Sequence, residues 1–122
     1  MEVTSRSFGP AVVVKPVGRI DQAASHALET ALAPLWTKPD VEALVLDFSG
    51  VEYISSVGLR VLMIAARQMR GRHARIAVAG LQTIVSEIFA ISRFDKVLEV
   101  FPAVRDALAA LSPEALAAYD AA

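Results

Sequence analysis

The chain has 122 residues, 55% of them hydrophobic, and no cysteine, which is enough chain for one core and excludes two domains, a disordered polypeptide, a disulfide scaffold and any cysteine-ligated metal. Lys and Arg number 12 against 13 Asp and Glu, a net charge of −1, so there is no broad basic footprint for nucleic acid. The N-terminal MEVTSRSFGP has no basic stretch leading into an apolar one, and no window reaches about 18 uncharged apolar residues, so the expectation is a single cytoplasmic domain over 1–122 with no signal peptide and no membrane insertion.

In chain order, the first β candidate is the valine-rich "AVVVKPVGRI", 11–20. Pro16 has no N–H to give a ladder, so this is an edge strand or two short strands hinged at Lys15–Pro16. "DQAASHALETALAPLW", 21–36, follows as a helix capped by Asp21, with Ala24, Leu28, Ala31, Leu32 and Leu35 at helical spacing and Pro34 and Pro39 near its end. "VEALVLDFSG", 41–50, is a short apolar run closed by Ser49–Gly50 and reads as a buried central strand. A helix from Ser56 to Met69 stops at Gly71. "ARIAVAG", 74–80, is a second buried strand. "LQTIVSEIFAIS", 81–92, is a helix with Ile84, Ile88 and Ile91 on one stripe. "KVLEVF", 96–101, alternates like a strand, and Pro102 opens a last helix nicked at Ser112–Pro113. Strands alternating with helices predict an α/β domain with a largely parallel sheet, in which the broken first strand could form an antiparallel edge.

Known catalytic constellations are missing. His26 and His73 have no ligand-type neighbour at metal spacing, and there is no G-x-G-x-x-G, P-loop or G-x-S-x-G. Asp47 and Glu52 could pair as acid and base, but the simpler reading ends a strand at Asp47 and leaves Glu52 in a solvated loop. No catalytic residue, cofactor or metal is expected, and the chain is read as a non-enzyme.

The informative stretch is Ser55–Ser56 at the start of the second helix. Ser55 as N-cap is worth roughly 0.5–2 kcal/mol over alanine. The helix behind it is apolar almost all round. A core face at Leu59, Leu62, Met63, Ala66 and Met69 leaves Val57, Val61 and Ile64 opposite, flanked by Arg60 and Arg67. Either this is an arginine-rimmed strip that binds a protein, or the helix is buried on two sides. A phosphate on Ser56 would meet the free N–H groups and positive dipole end of the helix, and would set about −1.5 to −2 charges beside the strip. Asp21 and Glu52 fall on the same rim if the strand–helix loops gather at one end of the sheet.

Three pieces, "GRID", "LVLDFSGVEYISSVGLRVL" and "SEIFAISRFDKVLEVF", resemble in order and spacing the STAS domain of bacterial anti-sigma factor antagonists, over residues 8–110. The resemblance implies a mixed, mostly parallel sheet of four to five strands with helices packed mainly on one side. It implies partner switching: a serine kinase that doubles as anti-sigma factor is bound, the kinase phosphorylates a residue at the start of the second helix and the complex parts, and a serine phosphatase restores it. Matched on Gly58–Leu59, Val57 takes the family's phosphoacceptor position, Ser56 the first serine position and Ser55 the aspartate position. Ser56 is therefore the first candidate phosphoacceptor and Ser55 the second, with Asp21, Glu52, Ser55, Ser56, Val57, Arg60, Val61, Ile64 and Arg67 as the partner-binding set. The alternative is an unphosphorylated STAS binding module of a transport or other signalling assembly. A nucleotide-binding domain is a third reading, weakened by the lack of a phosphate loop.

Overall fold

The computed structural model describes residues 1–122. Its elements are strand β1 (Glu2–Phe8), strand β2 (Ala11–Ile20), helix α1 (Gln22–Trp36), strands β3 (Ala43–Asp47) and β4 (Val51–Ile54), helix α2 (Ser56–Gly71), strand β5 (Arg75–Ala79), helix α3 (Thr83–Ile91), a 3₁₀ turn over Phe94–Lys96, strand β6 (Glu99–Phe101), and helices α4 (Val104–Leu111) and α5 (Pro113–Ala121). The sheet runs β1-β2-β3-β5-β6, with β4 joined to β2. Only β1–β2 is antiparallel; β2–β3, β2–β4, β3–β5 and β5–β6 are parallel. The α/β class with a mostly parallel sheet is as the sequence indicates.

Two strands were not legible. β1 is polar along almost its whole length, and its order comes from a seven-pair ladder with β2 rather than from burial. It, not a fragment of 11–20, forms the antiparallel edge. β2 is accordingly one continuous strand. Its other edge pairs with β3 over Ala11–Val14 and with β4 over Gly18–Ile20. Pro16 falls between these two pairings, where its missing N–H breaks no parallel ladder. β4 lies where the sequence predicts a loop, so Glu52 is an exposed strand residue.

Helices α1, α2 and α3 cover one face. Leu28 and Leu32 of α1, Leu62 and Met69 of α2, and Val85 and Phe89 of α3 pack on Leu44, Leu46 and Phe48. Each such side chain contributes about 1.5–3 kcal/mol by leaving water. The second face carries α4 and α5, where Ala11, Ala43, Val45 and Ala77 of the sheet meet Ala107, Leu108 and Ala115. Small residues on both sides bring that helix pair close to the strands. Ser112 ends α4 and caps α5, its hydroxyl accepting from Ala115 N at 3.1 Å, with Pro113 at the first helical position.

Two helical registers differ from the sequence reading. In α2 the buried stripe is Gly58, Val61, Leu62, Ala65, Ala66 and Met69. In α3 it is Val85 and Phe89, so Ile84 and Ile91 stand out at 54% and 85% exposure. The segment 96–101 keeps only three strand residues, because the 3₁₀ turn takes its beginning and Arg93 enters that turn with φ 59°.

Candidate functional site

Ile20 and Ile54 are paired neighbours at the carboxyl ends of β2 and β4. Each is followed at once by a helix cap. Asp21 opens α1, its carboxylate accepting from Ala24 N at 2.9 Å. Ser55 opens α2, its hydroxyl accepting from Gly58 N at 3.1 Å. Ser55 N donates to Ile20 O at 2.8 Å, so the two caps are held side by side on the strand pairing itself. Two helix N-termini thus leave the sheet together, at the end where ligand-facing loops of open α/β sheets gather.

The serines are not equivalent. Ser55 is half-buried and its oxygen is engaged in the cap. Ser56 is exposed, at the first position of a 16-residue helix. The first intrahelical bonds begin with Leu59 N donating to Ser55 O, so the N–H groups of Ser56 and Val57 have no partner within the helix. There is no acidic residue in the first turn of α2. Arg60, one turn on from Ser56 and exposed, lies on the same side of the helix.

Gly58 explains how α2 sits. A Cβ there would stand 2.8 Å from both Ile20 Cγ2 and Ile54 Cγ1. The helix therefore turns its glycine to the sheet, and Val61 follows it inward at 4% exposure. This corrects the placement of Val61 on the surface strip: it belongs to the core. Ile64 is half-buried against that core, while Leu59 and Met63 are half-buried rather than sealed. What remains outside is Ser56, Val57 at 41% exposure, Arg60, the outer part of Ile64, and Arg67. Asp21 borders this patch through its place beside Ser55, and Glu52 is exposed on β4 three residues before Ser55.

Arg19 and Tyr53 escaped the sequence reading. They pair across β2 and β4 two residues before the caps, with the Arg19 guanidinium 4.6 Å from the Tyr53 ring centroid. "GRID" contained the arginine, but only the strand pairing shows what it stacks on. Both histidines are exposed, and no three His, Cys, Asp or Glu side chains gather at a metal-binding distance. No helix is long and apolar enough to cross a membrane.

The sequence matches the family model of the STAS domain over residues 2–107. It is 33% identical to BtrV of Bordetella bronchiseptica, named as an anti-sigma factor antagonist, over 95% of this chain and 98% of that protein. A crystal structure of an anti-sigma factor antagonist from Mycobacterium paratuberculosis superposes with a TM-score of 0.81 at 29% identity, covering 90% of this chain and 92% of the other. The Bacillus cell fate determinant SpoIIAA in its phosphorylated form shares the fold, with a TM-score of 0.70 at 13% identity over 89% of this chain and 98% of that one.

Proposed function

The chain belongs to the STAS-domain family of anti-sigma factor antagonists, and on that premise we propose that it docks a serine kinase serving as anti-sigma factor and is released from it by phosphorylation of Ser56. The observation that carries this reading is the exposed Ser56 hydroxyl at the head of α2, beside unpaired helix N–H groups and beside the patch of Val57, Arg60, Ile64 and Arg67. A phosphate on Ser56 gains the N-terminal N–H groups and the Arg60 guanidinium, so the fold tolerates it. A partner seated on the patch would instead have to desolvate about −1.5 to −2 added charges. Binding changes while the domain stays folded. In this reading the chain is a substrate and a binding surface rather than a catalyst, a serine phosphatase resets it, and the work is done in the cytoplasm, where sigma factors act.

The test is incubation with its cognate kinase and ATP, followed by intact mass and site mapping. One phosphate on Ser56 is expected, and none on Ser56→Ala. A phosphate on Ser55 instead, or none at all, defeats the assignment. Exposed Val57 at the position before Gly58 favours a second reading, a STAS module of a transport or other signalling assembly that binds without being modified. That reading expects an unmodified protein whose partner affinity is the same for Ser56→Ala and the parent.

A further inference from the structure

Opposite the α2 patch, the second face of the sheet is only partly covered. Its rows run outward from the α4–α5 pair. Phe8 and Ala11 form the first row, Arg6, Val13 and Val45 the second, and Thr4, Lys15 and Asp47 the third. The first row lies under the helices; Val13 is half-buried; Thr4, Arg6 and Lys15 are exposed. Between these strands and the wall formed by Val104 and Tyr119 is an open cavity of about 200 Å³. Its apolar parts are the Phe8 ring, met edge-on by Tyr119 at 5.1 Å between centroids, and the Val13 side chain.

The charges of the lining do not balance. Arg6 and Lys15 are diagonal neighbours across the β1–β2 ladder, where like charges repel. Neither forms an ion pair; the two ion pairs of the molecule are Arg75–Glu99 and Arg105–Asp120. The Arg6 guanidinium stands 5.1 Å from the Phe8 centroid, which fixes it over the cavity and leaves its N–H edge free. Asp47 is the single carboxylate, and one of its oxygens accepts from Ser49 N at 3.0 Å. Two cations against one anion leave a single positive charge, over an apolar floor too small for the roughly 300–1,000 Å³ of a drug-sized ligand.

We propose that this cavity binds a small organic monocarboxylate, its carboxylate between Arg6 and Lys15 and its ring or short chain on Phe8 and Val13 beside Tyr119. The lone excess positive charge selects a monoanion, and Asp47 repels a second negative group. The site lies on the face of the sheet away from Ser56 and stands or falls separately from phosphorylation.

The experiment is a titration of the isotopically labelled full chain with benzoate, followed by backbone amide NMR shifts, with benzamide and benzylamine as uncharged and cationic matches of the same body. Saturable shifts are expected at residues 4–6, 13–15 and 47, with benzamide and benzylamine weaker by at least about tenfold. Arg6→Gln and Lys15→Gln remove exposed charges and leave the melting temperature near that of the parent, so each can be read for binding; each weakens benzoate by about tenfold. No saturable benzoate shift, shifts confined to another part of the chain, equal affinity for benzamide, or undiminished affinity in both variants overturns the proposal.

Discussion

Gly58 decides how near α2 comes to the sheet. Alanine there gains about 1 kcal/mol of helix propensity, yet its methyl would sit 2.8 Å from branched carbons of two buried isoleucines. Overpacking of that kind costs about 1–3 kcal/mol, and neither Cγ atom is the free end of a flexible chain. Packing wins, and Gly58→Ala is expected to lower unfolding free energy by about 1 kcal/mol in urea denaturation, with a gain in stability as the contrary result. Ser55→Ala is expected to cost about 1 kcal/mol in the same assay by orphaning Gly58 N. Because Ser55 spends its oxygen on the cap, that variant separates stability from the proposed switching: it is expected to weaken the fold while leaving the proposed phosphoacceptor Ser56 in place. The capping role was legible, since a serine before an apolar periodic run has one dominant local use. The inward turn of Val61 was not, because it follows from the Gly58 contact with Ile20 and Ile54, residues 38 and 4 positions away in the chain.

At the scale of elements, the same cause recurs. Reading the large apolar residues as core put Leu59 and Met63 inside, whereas α2 faces the sheet with Gly58, Ala65 and Ala66 alongside Val61, Leu62 and Met69. In α3 the isoleucine stripe looked like the core face, but Phe89 meets Phe48 and Phe94 edge-on, at 6.4 and 5.4 Å between centroids, and that aromatic cluster fixes the rotation of the helix. Strands with buried faces, β3 and β5, were legible from their apolar runs. β1 and β4 were not: β1 is polar and ordered by its pairing with β2, and β4 is only four residues long, with Val51 and Ile54 buried but Glu52 and Tyr53 between them. Element ends are tied by side chains with no sequence signature. Arg72, which caps the C-terminus of α2, donates to Trp36 O at 2.9 Å, Leu35 O at 3.3 Å and Val41 O at 2.6 Å. It joins the end of α1, the approach to β3 and the end of α2 in one guanidinium. Arg72→Ala is expected to cost about 2–3 kcal/mol, since charged hydrogen bonds are lost and carbonyls are left half-buried; a change in the denaturation midpoint no larger than that of a surface substitution would show that the tie is decorative.

Over the whole molecule, the two sheet faces carry separate cores. The α1–α2–α3 face holds the larger core and delivers two caps to one edge. The α4–α5 face is a smaller, alanine-lined core in which Phe8 is the one large sheet side chain that is fully buried, with Phe101 half-buried against it; Tyr119 closes it, and the exposed Arg105–Asp120 ion pair bridges the two helices. The Asp120 carboxylate raises the Arg105 pKa above its ordinary value, first by hydrogen bonding and then by charge. Phe8→Ala is expected to destabilise the domain by about 3–5 kcal/mol and to loosen α5 first, seen as faster amide hydrogen exchange over residues 113–121 than over α2. Equal loss of protection in both helices would show the two faces to be one cooperative unit. The division bears on the proposed function, which requires that a charge added at Ser56 leave the domain folded.

The most direct measurement is the affinity of the cognate kinase for two forms of the chain, unmodified and carrying phosphoserine at position 56, by calorimetry, with the melting temperature of each form recorded alongside. Phosphoserine should weaken binding by about tenfold or more while leaving the melting temperature unlowered. Equal affinity of the two forms, or a loss of binding that comes with a collapsed melting temperature, would contradict an electrostatic gate at the head of α2.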